Sequence, residues 1–242
     1  MPHKPAALIV GAGDSTGGAI ARRFARGGLA ACVTRRNADK LAPLVERIRS
    51  EGGEAHPFGS DARREEEVVT LVATIEQSVG PIEVAVFNVG ANVRFGIAET
   101  TERVYRKVWE MAALGGFLVG REVAKAMLAR GRGTILFTGA TASLRGGAGF
   151  CAFAGAKFAL RALAQSMARE LGPRGIHVAH VVIDGAIDTP FIAENFPERY
   201  ALKDRGGILD PESIADNYWM LHRQPRDAWT HELDLRPWME TF

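Results

Sequence analysis

The sequence predicts an α/β domain built on a doubly wound, parallel sheet of about seven strands. Three observations carry this. Short apolar runs alternate with amphipathic stretches from residue 6 to residue 183. The runs show no polar alternation, as expected of strands covered on both faces. A glycine-rich turn joins the first run directly to the first amphipathic stretch. No internal repeat, low-complexity segment or linker interrupts the pattern, so residues 1–242 are read as one domain.

The elements follow in order. Ala6-Ala7-Leu8-Ile9-Val10 is a buried strand, and the helix after the glycine turn covers about 17–26. Ala30-Ala31-Cys32-Val33-Thr34 is the second strand. A helix over 38–50 sets Leu41, Leu44, Val45 and Ile48 on one face. Residues 54–58 form a short third strand and 64–79 a helix, with Pro81 as punctuation. The fourth strand is 84–87, followed by a long helix over 101–129. The fifth strand is 134–138, the next long helix 150–171 and the sixth strand 177–183. Residues 190–210 lose the periodicity and read as a loop or substrate lid. A helix over 211–222 and a strand over 231–235 complete the pattern.

Composition narrows the function. The formal net charge is only +2, which gives no global field to draw nucleic acid or a membrane surface. No apolar stretch has the length of a membrane span. The opening Met-Pro-His-Lys-Pro leads straight into the first strand, so no signal peptide is expected. Cys32 and Cys151 lack metal-site spacing and read as reduced thiols, which suits a cytoplasmic protein.

The turn Gly11-Ala12-Gly13-Asp14-Ser15-Thr16-Gly17-Gly18 has a direct chemical reading. Glycines let the backbone turn tightly and approach a pyrophosphate, which then rests on the helix N-terminus. Gly11, Gly13, Ser15, Thr16 and Gly17 are therefore candidate dinucleotide-binding residues. Asp14 sets a negative charge near the expected phosphates. Arg35 and Arg36 follow the second strand, where guanidinium groups would meet a 2′-phosphate. That favours NADP over NAD, with NAD still possible.

Gly11 and Gly17, with the segments that follow them, resemble the short-chain dehydrogenase/reductase family over roughly residues 6–190. The family's turn is Gly-x-x-x-Gly-x-Gly; here Ser15 replaces the middle glycine and Gly13 is additional. Asp61 stands where the family's adenine-contacting Asp stands. Asn88-Val89-Gly90 is similar to its Asn-Ala-Gly, which brings Asn88 and Gly90 into the site. Asp184-Gly185-Ala186-Ile187-Asp188-Thr189-Pro190 is similar to its Pro-Gly-x-Ile-x-Thr-Pro. By that resemblance Ile187 and Thr189 address the nicotinamide, Gly185 joins the cofactor site, and Asp184 departs from the usual Pro. The resemblance implies a Rossmann-type fold, a homodimer or homotetramer, and a small carbonyl or alcohol as substrate.

The family's chemistry rests on a Tyr, a Lys four positions later, a Ser thirteen positions before the Tyr, and an Asn in the long preceding helix. Lys157 matches the Lys. The Tyr position holds Phe153, the Ser position Ala140 and the Asn position Ala112. The chain is thus similar to a branch with Phe for the catalytic Tyr and an incomplete glycine motif. Phe has no proton to give. Thr141 and Ser143 are nearby hydroxyls, able either to orient a substrate or to cap backbone groups. His177 and His180, in the sixth strand, are read as structural. Tyr105, Tyr200 and Tyr218 offer no obvious replacement. Catalytic candidates are therefore Lys157, Phe153 and Thr141, with no metal ligands. Three readings stay open: an NADP(H)-dependent oxidoreductase with a substituted proton donor, a cofactor-binding sensor or complex subunit with little turnover, and a non-redox enzyme in the same pocket.

Overall fold

The computed structural model describes residues 4–241. Of the sequence reading, only the opening Met1–His3 and the final Phe242 lie outside them. Seven strands form one sheet in the order β3-β2-β1-β4-β5-β6-β7. They are β1 Ala6–Val10, β2 Ala30–Arg35, β3 Glu54–Gly59, β4 Ile82–Phe87, β5 Gly133–Thr138, β6 Ile176–Ile183 and β7 Glu232–Leu235. Every pairing is parallel. Strand order reverses between β1 and β4, and the crevice outside their carboxyl ends is where doubly wound sheets bind ligands.

Two apolar layers sandwich the sheet. On one face Leu8, Cys32, Phe87 and Phe137 pack against helices α3 Glu65–Ser78, α5 Gly115–Arg130 and α6 Cys151–Leu171. On the other, Ile9, Val33, Val86 and Val181 pack against α1 Thr16–Arg26, α2 Ala42–Ser50 and α9 Pro211–Arg223. β1, β4 and β6 are fully or almost fully buried along their lengths, which is why they read as unbroken apolar runs.

Two expectations change. The long helix predicted over 101–129 is α4 Glu102–Trp109 and α5, joined by a π-helical turn at Glu110–Leu114 that contains Ala112. A periodicity reading does not register the extra residue of a π-turn, because the chain stays helical through it. The segment over 190–210 is not a bare loop. It holds two short helices, α7 Pro190–Asn195 and α8 Pro197–Tyr200, each opened by a proline whose missing N–H costs nothing there. Its base is strapped down: Leu209 N–H donates to Ala186 O and Asp188 N–H to Leu209 O, both at 2.8 Å. Farther out, Lys203 pairs with Asp188 at 2.9 Å and Arg199 with Glu240 at 3.0 Å. No helix among the described residues is long and apolar enough to cross a membrane.

Candidate active site

The glycine turn is held from three sides. Gly11 turns the chain out of β1 at φ +86°, a conformation that excludes a side chain. Its N–H and that of Ala12 both donate to Thr34 O at the end of β2, at 3.1 Å. Its carbonyl accepts from Asn88 Nδ2 at 3.2 Å, and Asn88 N–H donates to Val10 O at 2.8 Å. Asn88 thus staples the turn to the end of β4. Gly17 lies so close beneath that a Cβ there would sit 2.4 Å from Gly11 O. Gly13 differs: a Cβ would meet no atom of this chain within 4 Å. Ser15 caps α1, its Oγ accepting from Thr16 N–H.

Above this turn runs a cleft of about 770 Å³. Its walls include Gly11, Gly13, Ser15, Thr16, Gly17, Asn88, Gly90, Thr141, Phe153, Lys157, Gly185 and Ile187. A second lobe of about 290 Å³ shares Gly11, Gly13, Asn88 and Gly90 and adds Arg35, Arg36 and Asp61. The predicted site residues therefore converge on one continuous surface, with one exception. Thr189 is absent from both walls; its hydroxyl accepts from Ile192 N–H at 3.2 Å and caps α7.

The charged groups of the second lobe are partly engaged. Arg35 lies 3.8 Å from Asp14 and also approaches Lys40 O at 3.4 Å. Asp61 accepts from the Arg63 side chain through both oxygens, at 2.9 Å from Nε and 2.5 Å from Nη2. The hydrogen-bonded Arg63 guanidinium holds the Asp61 carboxyl below the usual carboxylate range.

At the other end Lys157 is almost wholly buried. Its Nζ donates to Thr138 O at 2.8 Å and Val89 O at 3.3 Å. Burial pushes the ammonium down to about 8. Thr138 Oγ1 in turn hydrogen-bonds Tyr218 Oη at 2.7 Å. Tyr218 is fully buried among the α9 contacts, and burial raises its phenol further from proton transfer. It supports the strand that supports Lys157.

The side chains around Phe153 form an apolar cluster. Phe153 and Ala112 are buried together with Ala91, Val108, Ala142, Ala152, Ala154 and Ala156, and Ala140 packs against them. Lys157 Nζ lies 5.8 Å from the centroid of the Phe153 ring. The two nearby hydroxyls part company: Ser143 Oγ caps Ala140 N–H at 3.1 Å, while Thr141 Oγ1 donates to Asp184. Asp184 is 1% exposed, with Arg145 and Arg236 at 3.7 and 3.6 Å. His180 bonds Glu232 through Nδ1 at 3.1 Å, and burial lowers its pKa to about 4, so it is neutral at pH 7. Glu232 also accepts a bidentate pair from Arg161. His177 stacks on Trp229 with ring centroids 4.9 Å apart. His177 Nε2 also hydrogen-bonds Thr230 O at 2.8 Å.

Arg145 and Phe150 are wall residues that the sequence reading did not place in the site, while Phe191, Ile192, Phe196 and Arg199 come from the segment read as a loop or lid. The aromatics lie in aperiodic segments, and their convergence is a tertiary fact. Among the described residues no group of three or more His, Cys, Asp or Glu side chains could hold a metal.

A parallel sheet with a glycine cradle at its strand-order reversal defines a nucleotide-binding α/β protein. The short chain dehydrogenase family model matches residues 5–199, and the chain belongs to that family. It is 32% identical over 228 residues to the short-chain dehydrogenase/reductase eriH of Hericium erinaceus, covering 89% of each chain. A crystal structure of a short-chain dehydrogenase from Rhodopseudomonas palustris is 49% identical, with TM-score 0.84, covering 98% of this chain and 100% of that one. Actinorhodin polyketide ketoreductase, solved as a variant with NADPH, is 25% identical with TM-score 0.89 and full coverage of both chains.

The glycine geometry predicts two separable effects. Gly17→Ala drives a methyl into the Gly11 carbonyl and should cost about 1–3 kcal/mol. Gly13→Ala meets open space and should leave stability within about 0.5 kcal/mol. Urea unfolding of the two variants beside wild type checks this; equal losses would contradict it.

Proposed function

We propose that this protein binds NADP(H) in the cleft, as a short-chain dehydrogenase/reductase with a degenerate catalytic tetrad. The observation that carries the proposal is the single surface joining the glycine cradle and Arg35–Arg36 to the buried Lys157. The fit is specific. Gly13 leaves room where a Cβ would otherwise stand, and the first turn of α1 presents its N–H groups there. Arg35 and Arg36 fit a 2′-phosphate, and Asp61 and Ala62 line the same lobe, where the adenosine half would lie. Ile187 and Gly185 would border the nicotinamide, and Lys157, with two of its three N–H donors spent on carbonyls, has one left for a ribose hydroxyl. Bound there, the nicotinamide would supply or accept hydride.

What this chain cannot supply in the family's manner is the proton. Hydride transfer to a carbonyl builds negative charge on oxygen, and a positioned acid contributes about 10²–10⁴-fold. Phe153 offers a ring, Ala140 a methyl group and Ala112 a buried methyl group. These three residues favour a second reading: a cofactor-binding sensor or complex subunit with little turnover. Segment 190–210 is assigned as the substrate lid, since Phe191, Ile192, Phe196 and Arg199 from it face the cleft. Tyr105, Trp109, Phe117 and Phe158, exposed on α4, α5 and α6, are assigned to a homodimer or homotetramer interface. Light scattering at micromolar concentration should give a multiple of 26.1 kDa, and a monomer alone would remove that assignment.

Calorimetric titration should show NADPH binding more tightly than NADH. Arg35→Ala should weaken NADPH about tenfold, the size of one charge-assisted hydrogen bond, and leave NADH nearly unchanged. Asp14→Asn, by releasing Arg35, should strengthen NADPH. Equal affinities for the two cofactors would defeat the assignment.

Wild-type reduction of simple ketones and aldehydes should be weak or absent. Lys157 stands ready to favour the phenolate of a tyrosine at position 153. Phe153→Tyr combined with Ala140→Ser should therefore exceed wild type and both single variants in NADPH oxidation, because the two groups act on one transition state. Strong wild-type turnover that falls on Phe153→Tyr would refute the degenerate-site reading.

A further inference from the structure

We propose that the cleft recognises an apolar, aromatic-sized alcohol by accepting its hydroxyl proton on Thr141, with Asp184 as the positioning residue that fixes this polarity. A threonine hydroxyl has one proton and two lone pairs. The proton of Thr141 is committed to Asp184 Oδ1 at 2.5 Å. Asp184 is a buried carboxylate whose nearest charges are the guanidinium groups of Arg145 and Arg236. Its backbone N–H donates to Leu235 O at 2.8 Å, so the residue is anchored at both ends. A carboxylate flanked by two cations only accepts, and Thr141 must be the donor between them. Thr141 is a wall residue of the cleft, and what it can turn toward a ligand is lone-pair density.

The consequence is a reversal of hydrogen-bond sense. A carbonyl oxygen facing Thr141 would meet another acceptor, whereas a hydroxyl would find a partner. Beside Thr141, positions 140 and 153 carry no donor side chain, and the cleft's donors at this end are the guanidinium groups of Arg145 and Arg199. The remaining walls supply the body of the site: Phe150, Phe153, Phe191, Ile192 and Phe196 enclose an apolar group of ring size. This inference rests on the cofactor reading in one respect, that the last N–H of Lys157 is taken by a ribose hydroxyl and not by the ligand.

1-Phenylethanol and acetophenone share a skeleton and differ in hydrogen-bond sense. Ligand-observed NMR titration of both against NADP⁺-saturated protein should give the alcohol an affinity about threefold to tenfold higher, the worth of one net hydrogen bond. Thr141→Ser should keep that preference and Thr141→Val should abolish it. Asp184→Ala should free the Thr141 proton and narrow or invert it; should that variant fail to fold, the Thr141 pair still decides. Equal affinities, binding of neither probe, or a preference that survives Thr141→Val would overturn the proposal. Tighter acetophenone would also overturn it and assign the contact to the Arg145 donors. If NADP⁺ itself does not bind, the cofactor reading fails, and comparison of wild type with Thr141→Val on the protein alone still tests this one.

Discussion

The site depends on one buried ammonium. Lys157 sits on α6 but bonds Val89 O beyond the end of β4 and Thr138 O at the end of β5. An ammonium buried without partners would cost several kcal/mol. The two carbonyls offset part of that, and they are available only because adjacent parallel strands end side by side at the crevice. Thr138 is itself braced through Tyr218 to α9 on the opposite face of the sheet. One cation therefore couples both helical layers to the mouth of the cleft. Burial still lowers its pKa, to about 8, so the ammonium is kept but held less firmly than on a surface.

Around this charge the neighbouring side chains form an apolar packing unit. Phe153 and Ala112 are buried in one cluster, with Ala140 packed against it, although they come from α6, the π-turn and the loop after β5. The π-turn at Glu110–Leu114 keeps its irregular backbone around Ala112. Such turns often mark functional sites, and this one carries the buried methyl group of Ala112. The cleft stays open beside this cluster because its floor is backbone. Gly11, the Asn88 staple and the close seat of Gly17 owe nothing to Phe153 or Ala140. The shape of the cleft floor is thus physically independent of the side chains at 153 and 140.

The sheet was legible because parallel strands buried on both faces must read as apolar runs, and the glycine turn because only glycine tolerates φ +86° at Gly11 and the close contact at Gly17. Lys157 was legible from its match to the family's Lys, four positions after Phe153. The π-turn was not, since one extra residue in a helix leaves the composition unchanged. The partners of Asp184 were not either. Arg145 is distant in sequence, Arg236 lies beyond the last strand, and only the fold brings them within 4 Å. Thr189 was placed in the site by motif position, yet its hydroxyl caps α7. A motif fixes where the backbone goes, while a side chain's partner depends on what the local helix start demands.

Asp184 shows how a single departure from a family pattern spreads. A proline there would donate nothing and carry no charge. Aspartate brings a carboxylate into a site that is 1% exposed, which is tolerable only with cations alongside. Arg236 lies next to the last strand and Arg145 in the loop after β5, so the charge ties the C-terminal segment to the substrate end of the cleft. Gly185, at φ +152° and packed so that a Cβ would strike Pro237, closes the same seam by steric contact. Neutralising Asp184 therefore removes more than a hydrogen bond to Thr141. It leaves the Arg145 and Arg236 guanidinium groups with one carboxylate fewer between them.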